Sequence, residues 1–257
     1  MAESTSPPAR AERAESPTPG DDAPLTSPAA RSTGRARGGR RAEILVTFTR
    51  HVAERGYDRA NFGDVAAELG LSKGTIVHHF GTKDRMLAEV QETYMRRRLD
   101  EAHALLARLE RPEQRIAAFV HAGVRYSTDE PATTVAFQRE VVRLTDEPGM
   151  ETARALRDAY RDLVVGVLRD GEADGTFRPG DARLRSLQMF GSLHWMWTWF
   201  DPAGRLAPDA VAAEFGRTLL RGLGVGEDAS ATATDPGGPV AAAVAEVLRP
   251  GRGPGDP

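Results

Sequence analysis

The chain has 257 residues, enough for one large or two small domains, and its lack of cysteine excludes disulfides, thiolate metal sites and cysteine nucleophiles. No run approaches the roughly 18 apolar residues that span a membrane, and the N-terminus lacks the apolar centre of a signal peptide, so we expect a cytoplasmic protein without a membrane partner. Because the net charge is −3, any attraction to nucleic acid must come from local clusters of basic residues.

Residues 1–39 are rich in Ala, Ser, Pro, Gly and charged side chains and have almost no large aliphatic ones. Such a segment cannot bury enough surface to offset its ordering entropy, which predicts a disordered arm. The end of this arm is basic, with no acidic residue from Arg31 to Arg41. It is either a solvated tail or an arm that lies in a neighbouring minor groove.

Three short helices are predicted next, because apolar residues recur at helical spacing over residues 41–55, 61–69 and 72–80. The last two surround a turn at Gly70, as in a helix-turn-helix. We therefore expect a three-helix DNA-binding head over residues 40–86.

The outer surface of this head carries hydrogen-bond donors and no acid on its last helix. Ser72 can cap that helix, Thr82 can cap the next, and Lys83 follows in a first turn, where a docked phosphate would stabilise it. Gly74 is a poor helix former, which suggests close approach of its backbone to a duplex. The residues predicted to contact DNA are Arg41, Ser72, Lys73, Thr75, His78, His79, Thr82 and Lys83.

The stretch Arg41–Leu87 resembles the DNA-binding head of the TetR family of bacterial transcriptional repressors. In this chain Val77 stands where the family usually has a tyrosine that contacts the DNA backbone, and Ala60 and Asn61 stand where a threonine often begins the first helix of the motif. The resemblance implies a two-domain homodimeric repressor that binds a palindromic operator and is released by a small molecule. The motif is met in register by Gly70, Ser72, Gly74, Thr75, Ile76, Phe80, Lys83 and Met86.

A long helix is predicted from Thr82 towards Pro112, because no proline or glycine interrupts it. In the TetR family the movement of this helix transmits ligand binding to the head. We expect an all-α ligand-binding and dimerisation domain over residues 87–225 and a loose tail over 226–257, in which Val240–Leu248 could form a short helix. The other predicted helices span residues 113–128, 132–145, 149–173, 181–200 and 208–223.

All three tryptophans of the chain lie within the segment 181–200, together with other large apolar side chains. A helix that is apolar on every side must be buried on every side, which requires the domain interior on one face and a partner subunit on the other. We therefore expect homodimerisation through helices at about 181–200 and 208–223, as a four-helix bundle.

The end of this segment is also similar to TetR-type regulators of fatty-acid and steroid breakdown, which sense acyl-CoA thioesters. The likeness is carried by Gly191, Trp195, Trp199, Phe200, Pro202, Gly204, Leu206 and Pro208. It implies an acyl-CoA effector, whose chain needs an apolar tunnel and whose phosphates need arginines. The expected ligand residues are Phe137, Arg139, Arg143, Arg157, Tyr160, Phe190, Trp195 and Trp199, with Leu144, Val164, Arg154 and Arg161 as further candidates.

Other classes of function are also considered. We find no nucleophile elbow, phosphate-binding glycine loop, paired catalytic carboxylates or metal-ligand spacing, and His78 and His79 diverge too far on a helix to share a metal. We therefore expect no enzyme, no cofactor and no metal. The alternatives are a TetR-type repressor of an efflux pump that senses drug-like aromatic compounds, and a DNA-binding protein without a ligand.

Overall fold

The computed structural model describes residues 28–141 and 149–249, with side chains from residue 39 onward. The first part of the expected arm, residues 1–27, lies outside the described residues, as do Arg143 and Leu144. The described parts contain no strand, and none of their helices is long and apolar enough to cross a membrane. The helices are α1 Pro28–Arg55, α2 Phe62–Glu68, α3 Lys73–Phe80, α4 Lys83–Arg108, α5 Pro112–Asp129, α6 Pro131–Glu140, α7 Glu151–Ala173, α8 Ala182–His194, α9 Pro208–Leu223, α10 Glu227–Ala233 and α11 Pro239–Val247.

The chain divides into two units, Met1–Gly39 and Arg40–Pro257. The helical backbone of α1 begins at Pro28, earlier than the start at Arg41 that we expected. Proline is well suited to a first helical turn, and the alanines and arginines that follow it are good helix formers. Residues 28–39 were expected to be part of a disordered arm, but their backbone is helical.

The three-helix head does not have a core of its own. Ile44, Phe48 and Ile76 from α1 and α3 belong to one buried cluster with Phe137 of α6 and Met150 just before α7. The N-terminal half of α4 contributes to the same cluster, while its C-terminal half packs in a second cluster with α5, α7, α8 and α9. A change in the packing of α6 or α7 therefore reaches the head through direct contacts as well as through α4.

The segment after residue 226 differs from the loose tail expected from its composition. It forms α10 and α11, which pack on α5, with α10 also contacting α9 and α11 contacting α4. Val240, Val244 and Leu248 are buried at intervals of four residues, the spacing of one helix face. Arg108 of α4 also pairs with Glu246 at 3.7 Å. Burial of this apolar stripe explains why the segment is helical although it is rich in Gly and Pro.

The tryptophan segment is not the single helix expected over 181–200. Helix α8 ends at His194, and Trp195–Thr198 form a short 3₁₀ turn. Trp195 is 64% exposed in the single chain, and Trp197 and Trp199 are also exposed, while Met196 and Phe200 are buried. One side of this segment therefore packs in the domain, and the other is free to meet another surface.

Candidate functional site

Helix α3 presents a polar surface built from its N-terminal cap. The Ser72 hydroxyl accepts a hydrogen bond from the backbone N–H of Thr75 at 3.1 Å, and the two hydroxyls lie 2.9 Å apart. Lys73 and His78 are exposed, and His79 is partly exposed. The predicted cap is confirmed, and the free N–H groups of this first turn face outward with a lysine beside them, an arrangement suited to a phosphate.

Two glycines shape this surface. Gly70 has a φ of +64°, which permits the tight turn between α2 and α3 at low cost. A Cβ at Gly74 would meet only Ser72 Oγ, at 3.6 Å, so no internal contact requires glycine there. Val77, at the position of the family's tyrosine, is 44% exposed and has no hydroxyl for a phosphate contact. The expected close approach of a DNA duplex to the Gly74 backbone would still explain why glycine occupies this position.

The start of α4 lies beside this surface. Thr82 caps the helix by accepting a hydrogen bond from Arg85 N–H at 3.2 Å, as predicted. The Lys83 ammonium lies over the Tyr57 ring and donates to the Asp58 carbonyl at 3.4 Å. Lys83 is therefore held at the helix N-terminus by contacts with the 3₁₀ turn Tyr57–Arg59.

Arg41, predicted to contact DNA, also has partners within the chain. Both of its terminal nitrogens donate to the carboxylate of Glu89 on α4, and its guanidinium lies 4.6 Å from the Phe80 ring centroid. Hydrogen bonding to Glu89 raises the pKa of Arg41 above its ordinary value. This arginine joins α1, α3 and α4, which makes it a structural link within the head.

The acidic residues of α2 are paired with α1. Arg50 and His51 contact Glu68, and Arg55 contacts Asp64. These pairs partly neutralise the negative charges of α2. Helix α3 itself has no acidic residue. The local charge of the surface therefore suits a polyanion despite the negative net charge of the chain.

The helical domain contains a cavity of about 330 Å³ between α4, α5, α6, α7 and α8. Its walls are mainly aromatic and aliphatic, with three arginines and one histidine among them. The lining residues are Tyr94, Met95, Arg98, Phe119, Gly123, Tyr126, Phe137, Gln138, Val141, Arg157, Tyr160, Arg161, Leu187, Phe190, Gly191, Leu193 and His194.

The aromatic side chains form a continuous wall. Tyr94 stacks on Phe137 with ring centroids 4.5 Å apart, and Phe137 lies 6.2 Å from His194. Tyr160 contacts Phe190 at 6.0 Å, which contacts His194 at 5.8 Å. Such a wall suits the apolar part of a small organic ligand.

Arg98 is one of the cavity residues that the sequence did not indicate. Its side chain is 3% exposed, and its guanidinium lies 3.8 Å from the centroid of Tyr126 and 4.9 Å from that of Tyr94. It also pairs with Glu101 and Glu130. Burial lowers the pKa of Arg98, but these tyrosines and carboxylates outweigh it, and the net shift is upward. In the sequence it belongs to the run Arg96–Arg98, typical of a solvated face, and only the spacing from Tyr94 hints at its position.

Burial sets the protonation of the other titratable groups in the wall. It lowers the pKa of His194 to about 4, with the nearby Arg157 guanidinium adding to the effect. It also raises the pKa of the Tyr94, Tyr126 and Tyr160 hydroxyls. At neutral pH the wall therefore consists of a neutral imidazole and neutral phenols, with positive charge confined to the arginines.

The cavity brings together four of the residues predicted to bind ligand: Phe137, Arg157, Tyr160 and Phe190. Arg161 also lines it. Trp195 and Trp199 do not, because the chain leaves α8 before them; Trp199 packs on Phe200 and Phe215 instead.

Arg139 does not line the cavity either, because it lies on the side of α6 that meets the head. Its Nη1 donates to the Ala53 carbonyl in the last turn of α1 at 3.0 Å. The adjacent Glu140 accepts a hydrogen bond from Tyr57 N–H at 2.9 Å. Helix α6 thus contacts the cavity through Phe137 and the head through Arg139 and Glu140.

No group of three or more His, Asp or Glu side chains that could hold a metal ion occurs within residues 39–141 and 149–249.

Comparison with known proteins gives one family match for the N-terminal head and another for the helical domain that follows it. Residues 44–90 match the family described as "Bacterial regulatory proteins, tetR family", and residues 109–223 match "Tetracyclin repressor-like, C-terminal domain". The HTH-type transcriptional repressor KstR2 of Mycolicibacterium smegmatis is 25% identical over 185 residues, covering 72% of this chain and 90% of that protein. KstR2 of Rhodococcus jostii is 26% identical over 200 residues, covering 77% and 98%.

Two solved structures share the fold. The ketosteroid transcriptional regulator KstR2 of Mycobacterium tuberculosis has a TM-score of 0.67 and 25% identity, covering 73% of this chain and 96% of that one. AibR, solved in complex with isovaleryl coenzyme A and operator DNA, has a TM-score of 0.65 and 22% identity, covering 70% and 98%. The likeness to AibR shows the fold alone.

Proposed function

Because the chain belongs to the TetR family and is a transcriptional repressor of that type, we propose that it binds a palindromic operator as a homodimer and is released by an acyl-CoA thioester. The observation that carries the effector proposal is the aromatic cavity with Arg157 and Arg161 among its lining residues. Operator binding and ligand binding are properties of the family, whereas the identity of the effector, the dimer and the residue roles are proposals for this chain.

The operator would contact α3 and the start of α4. Lys73 and His78 are exposed on α3, and Lys83 is held at the N-terminus of α4 by Tyr57 and the Asp58 carbonyl. Phosphates would meet the first turns of α3 and α4, where backbone N–H groups and lysines coincide, and base edges would meet the outer face of α3. Ser72 and Thr82 would act mainly as caps, because both hydroxyls already accept backbone hydrogen bonds.

The effector would place its acyl group in the cavity. A volume of about 330 Å³ suits an acyl group but not a whole coenzyme, so the nucleotide part would remain outside, near Arg157 and Arg161. These two side chains are partly exposed, and their charged partners within residues 39–141 and 149–249 are Asp158 and Asp162. The names of the relatives add support, since KstR2 is called a ketosteroid regulator and AibR, of the same fold, was solved with isovaleryl coenzyme A.

The homodimer would form through α8 and α9. Leu184 is 66% exposed on α8, and Phe215 and Leu219 are partly exposed on α9. A groove of about 450 Å³ lies between these two helices, and the small residues Ser192, Thr218 and Gly222 line it. An apolar face with small residues allows close packing of a second copy, and a symmetric pair would place two α3 helices towards successive major grooves.

Effector binding would act on the head through α6 as well as α4. Phe137 faces the cavity, while Arg139 and Glu140 on the same helix hold the Ala53 carbonyl and the Tyr57 N–H. The Tyr57 hydroxyl in turn donates a hydrogen bond to Asp84, and the Tyr57 ring packs against the Lys83 ammonium. A ligand that displaces Phe137 would therefore shift the support of a DNA-contacting lysine.

The experiment that tests this function is native mass spectrometry of the full chain with straight-chain, branched and ring-containing acyl-CoA thioesters, with coenzyme A and a hydrophobic dye as controls. We expect a dimer that takes up one thioester per subunit, and the same thioester should release DNA selected by the protein from a genomic pool. A dimer that binds the dye but no thioester would contradict the acyl-CoA effector and favour the drug-sensing alternative.

A further inference from the structure

Four buried polar atoms in the wall of the cavity have no hydrogen-bond partner among the described residues: Arg98 Nε, Tyr126 Oη, Gln138 Oε1 and Arg161 Nε. The other atoms of the Arg98 guanidinium are engaged by Glu101 and Glu130. A buried polar atom without a partner costs free energy, so an occupant that supplies one is favoured over an occupant that does not.

The charges around Arg98 indicate what kind of partner fits. Two arginines, Arg97 and Arg98, already face two carboxyl groups, Glu101 and Glu130. Next to Arg98, a carboxylate on the effector would meet two carboxyl groups that already pair with the two nearby arginines, so burying it there would be costly. The other cavity arginines, Arg157 and Arg161, are assigned to the nucleotide part of the effector. An uncharged oxygen next to Arg98 accepts a hydrogen bond without the cost of burying a charge.

We propose, resting on the function above, that Arg98 and Gln138 select an effector whose buried acyl end carries an uncharged oxygen, as a ketone or a hydroxyl. The Arg98 Nε–H donates to this oxygen. Gln138 accepts from the effector when the group is a hydroxyl, and its amide can turn to donate when the group is a ketone. Arg98 is thereby a specificity-determining residue, while Arg157 acts on the part common to all thioesters.

The test compares ligands that differ by one group. Affinities are measured for decanoyl-CoA, for its ketone and hydroxyl derivatives at each position of the distal half of the chain, and for the derivative with a terminal carboxylate. We expect at least one ketone or hydroxyl derivative to bind about ten- to a hundredfold more tightly than decanoyl-CoA, and the carboxylate to show no such gain. Equal affinity for all uncharged derivatives would overturn the proposal, because water would then satisfy both atoms.

Three variants assign the preference to its residues. Arg98→Lys keeps the positive charge but removes the Nε–H, and Gln138→Leu removes the amide with little change in volume. Each should reduce the preference to a fewfold or less, whereas the control Arg157→Lys should weaken all thioesters alike and leave the preference intact. A preference that survives in both Arg98→Lys and Gln138→Leu would overturn the assignment.

The proposed function and this inference can fail separately. If no thioester binds, the function is contradicted, and the inference is then decided by displacement of a hydrophobic dye with free ketones and with alkanes of equal length. Stronger displacement by the ketone, lost in Gln138→Leu, would support the inference, and equal displacement would refute it.

Discussion

The ammonium of Lys83 lies 4.1 Å from the centroid of the Tyr57 ring. This contact connects the residue that we propose binds a phosphate at the start of α4 with the turn that follows α1. Tyr57 is itself held by Glu140 of α6 and by Asp84. The position of Lys83 therefore depends on packing that extends to the wall of the aromatic cavity.

Replacement of Lys83 by Ala should weaken DNA binding for all sequences alike. A phosphate contact contributes affinity without sequence information, and its loss lowers the dependence of log K on log salt by about one. Fluorescence anisotropy with the selected operator and a scrambled duplex, each at several salt concentrations, measures both effects. Lys83→Arg is the control and should retain most of the affinity. A loss confined to the operator, with an unchanged salt slope, would contradict this role.

Replacement of Arg139 by Ala should uncouple the effector from DNA release. The variant loses the hydrogen bond to the Ala53 carbonyl but no cavity residue, so thioester affinity should change by less than about twofold while the effect of saturating thioester on operator affinity falls by about fivefold or more. Thioester binding and operator binding are measured separately. Arg125→Ala is a matched control, because that guanidinium pairs with Asp129 on its own helix. Equal release by wild type and Arg139→Ala would exclude this route of coupling.

Replacement of Leu184 by Glu should disrupt the dimer. The Leu184 side chain is exposed in the single chain and does not line the cavity. A glutamate at this position would therefore be buried without a partner only in the homodimer. We expect the dimer dissociation constant to rise at least about tenfold, measured by sedimentation or native mass spectrometry. Arg169→Glu, on an exposed part of α7, should leave it unchanged. A dimer of undiminished stability would show that α8 is not the interface.

His194 should make the protein less stable in mild acid. Its pKa is about 4 in the folded chain and 6.5 in the unfolded one, so the unfolded chain binds the proton first as pH falls. The free energy of unfolding should therefore decrease between pH 6.5 and pH 4, by about 3 kcal/mol at most, and this residue should contribute no dependence above that range. Urea unfolding at a series of pH values measures the effect. His194→Phe should show a shallower decrease, and identical profiles would contradict the assignment.

The sequence was sufficient for the features that depend on local spacing. The cap residues Ser72 and Thr82 occupy the positions predicted for them, and the all-α fold with its helix-turn-helix is confirmed. These features depend on hydrogen bonds and apolar contacts within a few residues. Phe137, Tyr160 and Phe190 were also predicted as ligand residues, and the structure brings them into one cavity.

The remaining features depend on contacts between distant parts of the chain. Arg98 resembles a surface residue until Tyr126, Glu101 and Glu130 surround it. The pairing of Arg41 with a carboxylate on α4 was likewise not predicted. Trp195 was expected in the cavity, but the end of α8 at His194 turns it away. For Arg98 and Arg41, the partners Tyr126, Glu130 and Glu89 lie far along the chain, so the local pattern does not show them.

The most direct test of the account is the affinity of the selected operator for the full chain, measured with and without a saturating thioester that binds the cavity. We expect the thioester to weaken operator binding at least about fivefold, and the operator to weaken thioester binding by the same factor, since coupling between two ligands is reciprocal. Operator affinity that stays the same when the cavity is occupied would contradict a repressor released by an acyl-CoA.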